Sequence, residues 1–124
     1  IPVGDAFYLA DTDPKWGYRP DTQFDFKNPQ HPALPRQMHS LHVGYQWSKQ
    51  KDSKPALKTD GHHANMAGEY LGACVFYEFL FHESVVGNTF VPAGLEKTYA
   101  QFLQETAHRA VSESHVKKPA AKVE

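Results

Sequence analysis

NMAGEYLGACVFYEFLF, residues 65–81, decides how this chain is read. Asn65 is a residue type that caps helices, since its side-chain oxygen can accept an otherwise unpaired amide of the first turn. Behind it, Met66, Tyr70, Cys74, Tyr77 and Phe81 recur at steps of three or four, and Ala67, Leu71 and Val75 widen the stripe. That period predicts an α-helix covered on most sides. Gly68 and Gly72 inside it each cost about 1 kcal/mol relative to alanine, so both are expected where a neighbouring backbone comes close.

A second amphipathic helix is predicted from Leu95, through Tyr99, Phe102 or Leu103 and Ala107 to Ala110 or Val111, with Glu96, Lys97, Gln101, Glu105 and Arg109 outside. After Ser112, the Lys- and Ala-rich residues 113–124 have little to bury and are expected to form a flexible tail. N-terminal to the first helix, Leu41, Val43, Tyr45 and Trp47 alternate with His42, Gly44 and Gln46, the period of a half-buried strand. The polar stretch Lys49 to Pro55 reads as a turn, and Ala56-Leu57-Lys58 as a short return strand. Residues 11–35 carry Pro14, Pro20, Pro29, Pro32 and Pro35 beside Trp16, Tyr18, Phe24 and Phe26. Disordered segments are poor in such rings, so a long loop pinned by aromatics is expected. At the start, Ile1-Pro2-Val3 reads as the end of a buried sheet strand, turning at Gly4-Asp5 into a short helix over Ala6 to Ala10. A strand that begins before Ile1 makes the chain look like a piece of a longer one.

Composition narrows the functions. Thirteen basic and fourteen acidic residues give a formal charge of -1, which offers no footprint for nucleic acid or anionic lipid. Cys74 is the single cysteine, so no internal disulfide and no Cys-based zinc cluster can form. No uninterrupted apolar run approaches the roughly eighteen residues of a membrane span. Compartment stays open, with secretion or the periplasm possible for a chain preceded by a signal peptide.

The chemistry-bearing segment is Asp60-Gly61-His62-His63, set just before the capped helix. A carboxylate three residues ahead of an imidazole can meet it across one turn, hold the ring, and leave its other nitrogen free to take a proton. His62 must then point elsewhere. A separate set, His39, His42, Asp60, His62 and His63, offers nitrogen and oxygen ligands suited to zinc. Against that metal-binding alternative, a strand over residues 40–47 would send His39 and His42 to different sides. A further alternative is that Asp60 and His63 only brace the helix.

Asp60-Gly61-His62-His63-Ala64-Asn65, followed by Gly68, Tyr70, Leu71 and Cys74-Val75-Phe76-Tyr77, resembles the last conserved block of the SGNH (GDSL-type) hydrolases. Together with Pro2-Val3-Gly4-Asp5-Ala6-Phe7, the pattern looks like bacterial SGNH-like proteins of unknown substrate. The likeness covers the first ten residues and Asp60 to about Leu95. It implies a single α/β domain of three α/β/α layers, of which residues 1–112 are the C-terminal part and residues 11–58 a loop-and-hairpin insertion; taken alone this part would be helix-rich with a small hairpin. It implies that Asp60 orients His63, the general base of a Ser-His-Asp triad acting on small-molecule or carbohydrate esters, with no cofactor. Ala64 stands where the family usually has proline. The family's serine and oxyanion-hole blocks have no counterpart in these residues, and Gly4-Asp5-Ala6 has alanine where Gly-Asp-Ser would carry the nucleophile. The serine is therefore expected outside the chain, in a missing N-terminal part of the same domain, and these 124 residues alone are expected to be inactive.

Overall fold

The computed structural model describes residues 1–49 and 54–116. Three helices, α1 (Val3–Asp11), α2 (Met66–Phe81) and α3 (Lys97–Val116), pack on one another, and a two-stranded antiparallel sheet, β1 (His42–Ser48) with β2 (Ala56–Ala64), sits at the start of α2. This is a mixed α/β arrangement. Among the described residues no helix is long and apolar enough to cross a membrane. Residues 50–53 of the expected turn and residues 117–124 of the expected tail lie outside the described residues.

The chain begins as helix, not as the end of a strand. Val3 opens α1, and Gly4-Asp5, expected as a turn, lies inside its first turn. Proline fits a helix start because its missing N–H would be unpaired there anyway, and the Pro2 carbonyl accepts the amide of Ala6. Ala6 and Ala10, one turn apart, are buried against α2 and α3. Ala6 of the Gly-Asp-Ala sequence is thus a core methyl at 0% exposure.

α2 starts where Asn65 places it. Its side-chain oxygen accepts the amide of Gly68 at 3.0 Å, and its side-chain nitrogen donates to the carbonyls of Ser40 and His42. One residue therefore both caps the helix and ties it to the hairpin. Asn65→Ala removes the cap and leaves two carbonyls without their donor, so a loss of about 1–2 kcal/mol is expected in urea unfolding. Gly68 meets the expectation of close approach: a Cβ there would lie 2.2 Å from the Leu41 carbonyl oxygen. Gly72 does not, since a Cβ there would meet nothing within 4 Å.

The buried side of α2 is Ala67, Gly68, Tyr70, Leu71, Cys74, Val75 and Glu78. Met66, Tyr77 and Phe81, expected in the stripe, are exposed, as are Phe76 and Leu80. A helix apolar all round has no periodic signal to say which side turns inward. α3 follows its predicted spacing, with Tyr99, Leu103, Ala107, Ala110 and Val111 buried. It runs on past Ser112 to Val116, held by an Arg109–Glu113 ion pair and by Ser114 donating to the Val111 carbonyl.

The loop over residues 12–41 is pinned by rings. Trp16 stacks on Tyr99 and Phe102 of α3, Phe26 packs against Tyr45, and the Trp47 indole N–H donates to the Ala33 carbonyl. The Gln37 side chain bonds both the N–H and the carbonyl of Tyr45, clamping the loop to β1 beside Gly44. Gly44 has φ 73°, and a Cβ there would run into Gln37. Glycine is required for both reasons.

Candidate active site

β2 does not stop at Lys58. It continues through Asp60-Gly61-His62-His63 to Ala64, so these residues occupy a strand rather than a loop before the helix. The pairing is irregular there: between the pairs His42–Ala64 and Gly44–Asp60, β1 advances two residues while β2 advances four. The surplus forms a bulge that lifts Gly61, His62 and His63 out of the ladder. Bulges re-aim side chains in this way.

Asp60 organises the bulge. One carboxylate oxygen accepts the amides of His62 and His63, each at 3.0 Å, and the other lies 2.8 Å from Nδ1 of His63. Amides freed from the ladder thus find an acceptor within three residues, the usual behaviour of Asp in a turn. The His63 amide, then that of His62, then the His63 ring hold the Asp60 carboxyl down at about 2, against an ordinary value near 3.8. The carboxylate is fixed and ionised, while His63 stands 81% exposed with Nε2 facing outward from the contact. His62 makes no such contact; only its backbone reaches Asp60.

A carboxyl whose folded value is depressed contributes stability that is fully present above its unfolded value, near 3.8, and is lost as pH falls toward 2. A carbon NMR titration of the Asp60 carboxyl should show a midpoint near 2. A midpoint near 4 would mean that the turn is not formed.

Other candidates fare differently. His39, at φ 63°, packs at a tilt against Trp16 and Tyr99, whereas His42 lies edge-on to Phe7. Among the described residues no three His, Cys, Asp or Glu side chains converge as a metal site. Cys74 is no nucleophile at neutral pH, because burial pushes its thiol up to about 11.

One acid–imidazole pair escapes the sequence. Glu78, buried on α2, holds Nδ1 of His108 on α3 with one oxygen and the Val85 amide with the other. Ser84 Oγ lies 3.5 Å from the same His108 nitrogen. In a triad the acid and the hydroxyl occupy opposite ring nitrogens, so His108 cannot pass a proton between them. Together with Gln104, whose side chain bonds Gly87, Asn88 and Tyr70, the pair ties the loop after α2 to α3.

A cleft of about 160 Å³ borders Asp60 and Gly61, walled by Asp11, Tyr18, Gln37, Ser40, His42 and Tyr45. Sequence alone gives no sign of it, because α1, the loop and the hairpin each supply part. Comparison of the chain with protein-family models, curated proteins and solved structures finds no match.

Proposed function

We propose that Asp60 and His63 are the acid–base half of a serine ester hydrolase of SGNH type, completed by a serine and an oxyanion hole supplied from outside these 124 residues. The observation that carries the reading is the 2.8 Å contact of Nδ1 with a carboxylate already held by two amides. A carboxylate on Nδ1 fixes the tautomer that leaves Nε2 as the proton acceptor. Nε2 of His63 then takes the serine proton as Oγ attacks the ester carbonyl. It returns that proton to the departing alkoxide, while Asp60 stabilises the imidazolium formed in between. Water repeats the sequence on the acyl-enzyme, releasing acid and serine.

The same reading places the chain as the C-terminal part of a three-layer α/β/α domain, whose sheet would come from the missing N-terminal part. The exposed Phe76, Tyr77, Leu80 and Phe81 give such a part an apolar surface to cover. Substrates are small-molecule or carbohydrate esters; nucleic acid and membrane are not partners.

Steady-state hydrolysis of 4-nitrophenyl acetate by the 124-residue chain tests the division of labour. Free imidazole groups release acetate slowly and without saturation, and nothing beyond that is expected. Saturable turnover sensitive to a serine-directed organophosphate would place a nucleophile inside the chain and overturn the proposal.

A further inference from the structure

We infer that the cavity between the turn over residues 13–19 and residues 36–39 is a phosphate-binding site, holding the group as a dianion, either free or at the end of a monoester. Lys15, Gly17, Arg19, Arg36, Met38 and His39 wall a space of about 250 Å³. The inference is independent of Asp60 and His63. Tyr18, Gln37 and Ser40 line the cleft beside Asp60, whereas their neighbours in sequence line this cavity, so the same two segments divide one from the other.

Charge selects the ligand. Three cations and no acidic residue line the cavity. Arg36 has a counter-ion, because its amide donates to Asp21 at 2.9 Å and its Nε stands 3.8 Å from the same oxygen. The Asp13 carboxylate accepts the amides of Lys15 and Trp16. Neither Lys15 nor Arg19 has a carboxylate partner among the described residues. Two cations without counter-ions match the charge of a phosphate monoester, close to -2 near neutral pH. A carboxylate ligand would neutralise only one of them. Three cations around one cavity are also too small a footprint for nucleic acid, which takes a longer stripe of them.

The donors are held in place. Asp13 caps the turn, and Gly17 closes it by donating its amide to the Asp13 carbonyl. Arg19 folds back over this turn, its guanidinium donating to the carbonyls of Asp13 and Tyr18 at 3.2 and 3.1 Å. A Cβ at Gly17 would lie 2.6 Å from Arg19 Nη1 and would also strike the Asp11 and Asp13 carbonyls, so glycine admits both the turn and the guanidinium. Those two carbonyls occupy two of the five guanidinium N–H groups. The fork is therefore oriented with donors to spare, the form in which arginine recognises phosphate. Trp16 stacks on Tyr99 and Phe102, which fixes the turn to α3, and the Lys15 ammonium lies 4.9 Å above the Trp16 ring. A brace for the turn alone would use Arg19 but neither Lys15 nor Arg36.

Amide chemical shifts of the ¹⁵N-labelled chain, titrated at neutral pH and constant ionic strength with inorganic phosphate, methyl phosphate and acetate, test the inference. Phosphate should move the amides of Lys15, Gly17, Arg19 and His39 along a saturating curve, and acetate should bind about tenfold more weakly because it offers one charge. Binding that methyl phosphate shares names a terminal monoester as the ligand, and binding that it does not share names the free ion. Arg19→Gln should weaken phosphate by about tenfold or more. Lys15→Gln, which leaves every hydrogen bond of the turn in place, should weaken it several-fold at an unchanged melting temperature, and it decides the matter if Arg19→Gln loosens the turn. No saturable shift with either phosphate, acetate binding as tightly as phosphate, shifts spread over exposed lysines elsewhere, or unchanged affinity in Lys15→Gln would overturn the inference.

Discussion

Asp60→Asn is expected to lower kcat for an acetyl ester by about 10⁴ in the protein that also carries the serine, the loss seen when a triad aspartate becomes asparagine. The side-chain oxygen of asparagine can still accept the amides of His62 and His63, so the bulge should survive. Its amide N–H₂, however, would face Nδ1 of His63 and favour the tautomer with the proton on Nε2, the nitrogen that has to receive one. KM should change little, because the loss falls on the transition state. With the Asp60 carboxyl held at about 2, the carboxylate is ionised throughout the neutral range, and the loss in Asp60→Asn should be present at every pH above 5. Stopped kinetics with 4-nitrophenyl acetate, alongside a thermal melt of each protein, check both statements. An equal loss in KM and in melting temperature would point to a bracing role instead.

Gly68→Ala is expected to destabilise the chain by about 1–3 kcal/mol, an overpacking penalty without a flexible neighbour to absorb it. The added carbon would lie 2.2 Å from the Leu41 carbonyl oxygen and 3.0 Å from the Ala64 Cβ. Backbone must move, and the backbone in question joins the bulge to α2: Leu41 also accepts the Asn65 amide. The substitution should therefore loosen the hairpin from the helix and shift the His62 and His63 amide signals as well as the urea midpoint. Gly72→Ala is the control. With open space around it, the change should stabilise by up to about 1 kcal/mol through helix propensity alone. Equal effects at the two glycines would contradict the packing described.

These two glycines also show how far the sequence reaches. Their identical setting in a helical pattern predicts close approach for both, yet only the one facing Leu41 has it, because the turning of a helix toward its neighbours is a tertiary property. The same holds for the face of α2, where apolar residues lie on every side and Tyr77 and Phe81 end up outside. Local signals served well for the Asn65 cap, the α3 stripe, the presence of strand β1 and the three-residue reach from Asp60 to His63, which depend on neighbours in sequence, whereas the expected alternation within β1 fails at Val43, which is exposed. Ile1-Pro2-Val3 is too short for its period to separate strand from helix, and the burial of Ala6 and Ala10 decides for helix. β2 extends through Asp60 to His63 because Asp60 supplies acceptors for the bulge amides, a compensation that hydrophobic pattern does not display. Glu78 with His108, and Asp11 with His42, are long-range meetings with no local trace.

Adjacent histidines give the central claim its most direct test. His63 touches the Asp60 carboxylate through its ring and His62 only through its backbone, so the two side chains differ in chemistry while sharing one bulge. Acetyl-ester turnover by the serine-bearing protein should fall by about 10³ or more in His63→Ala and stay within a few-fold of wild type in His62→Ala. Comparable activity in the two variants, or the larger loss at His62, would contradict the assignment of His63 as the base.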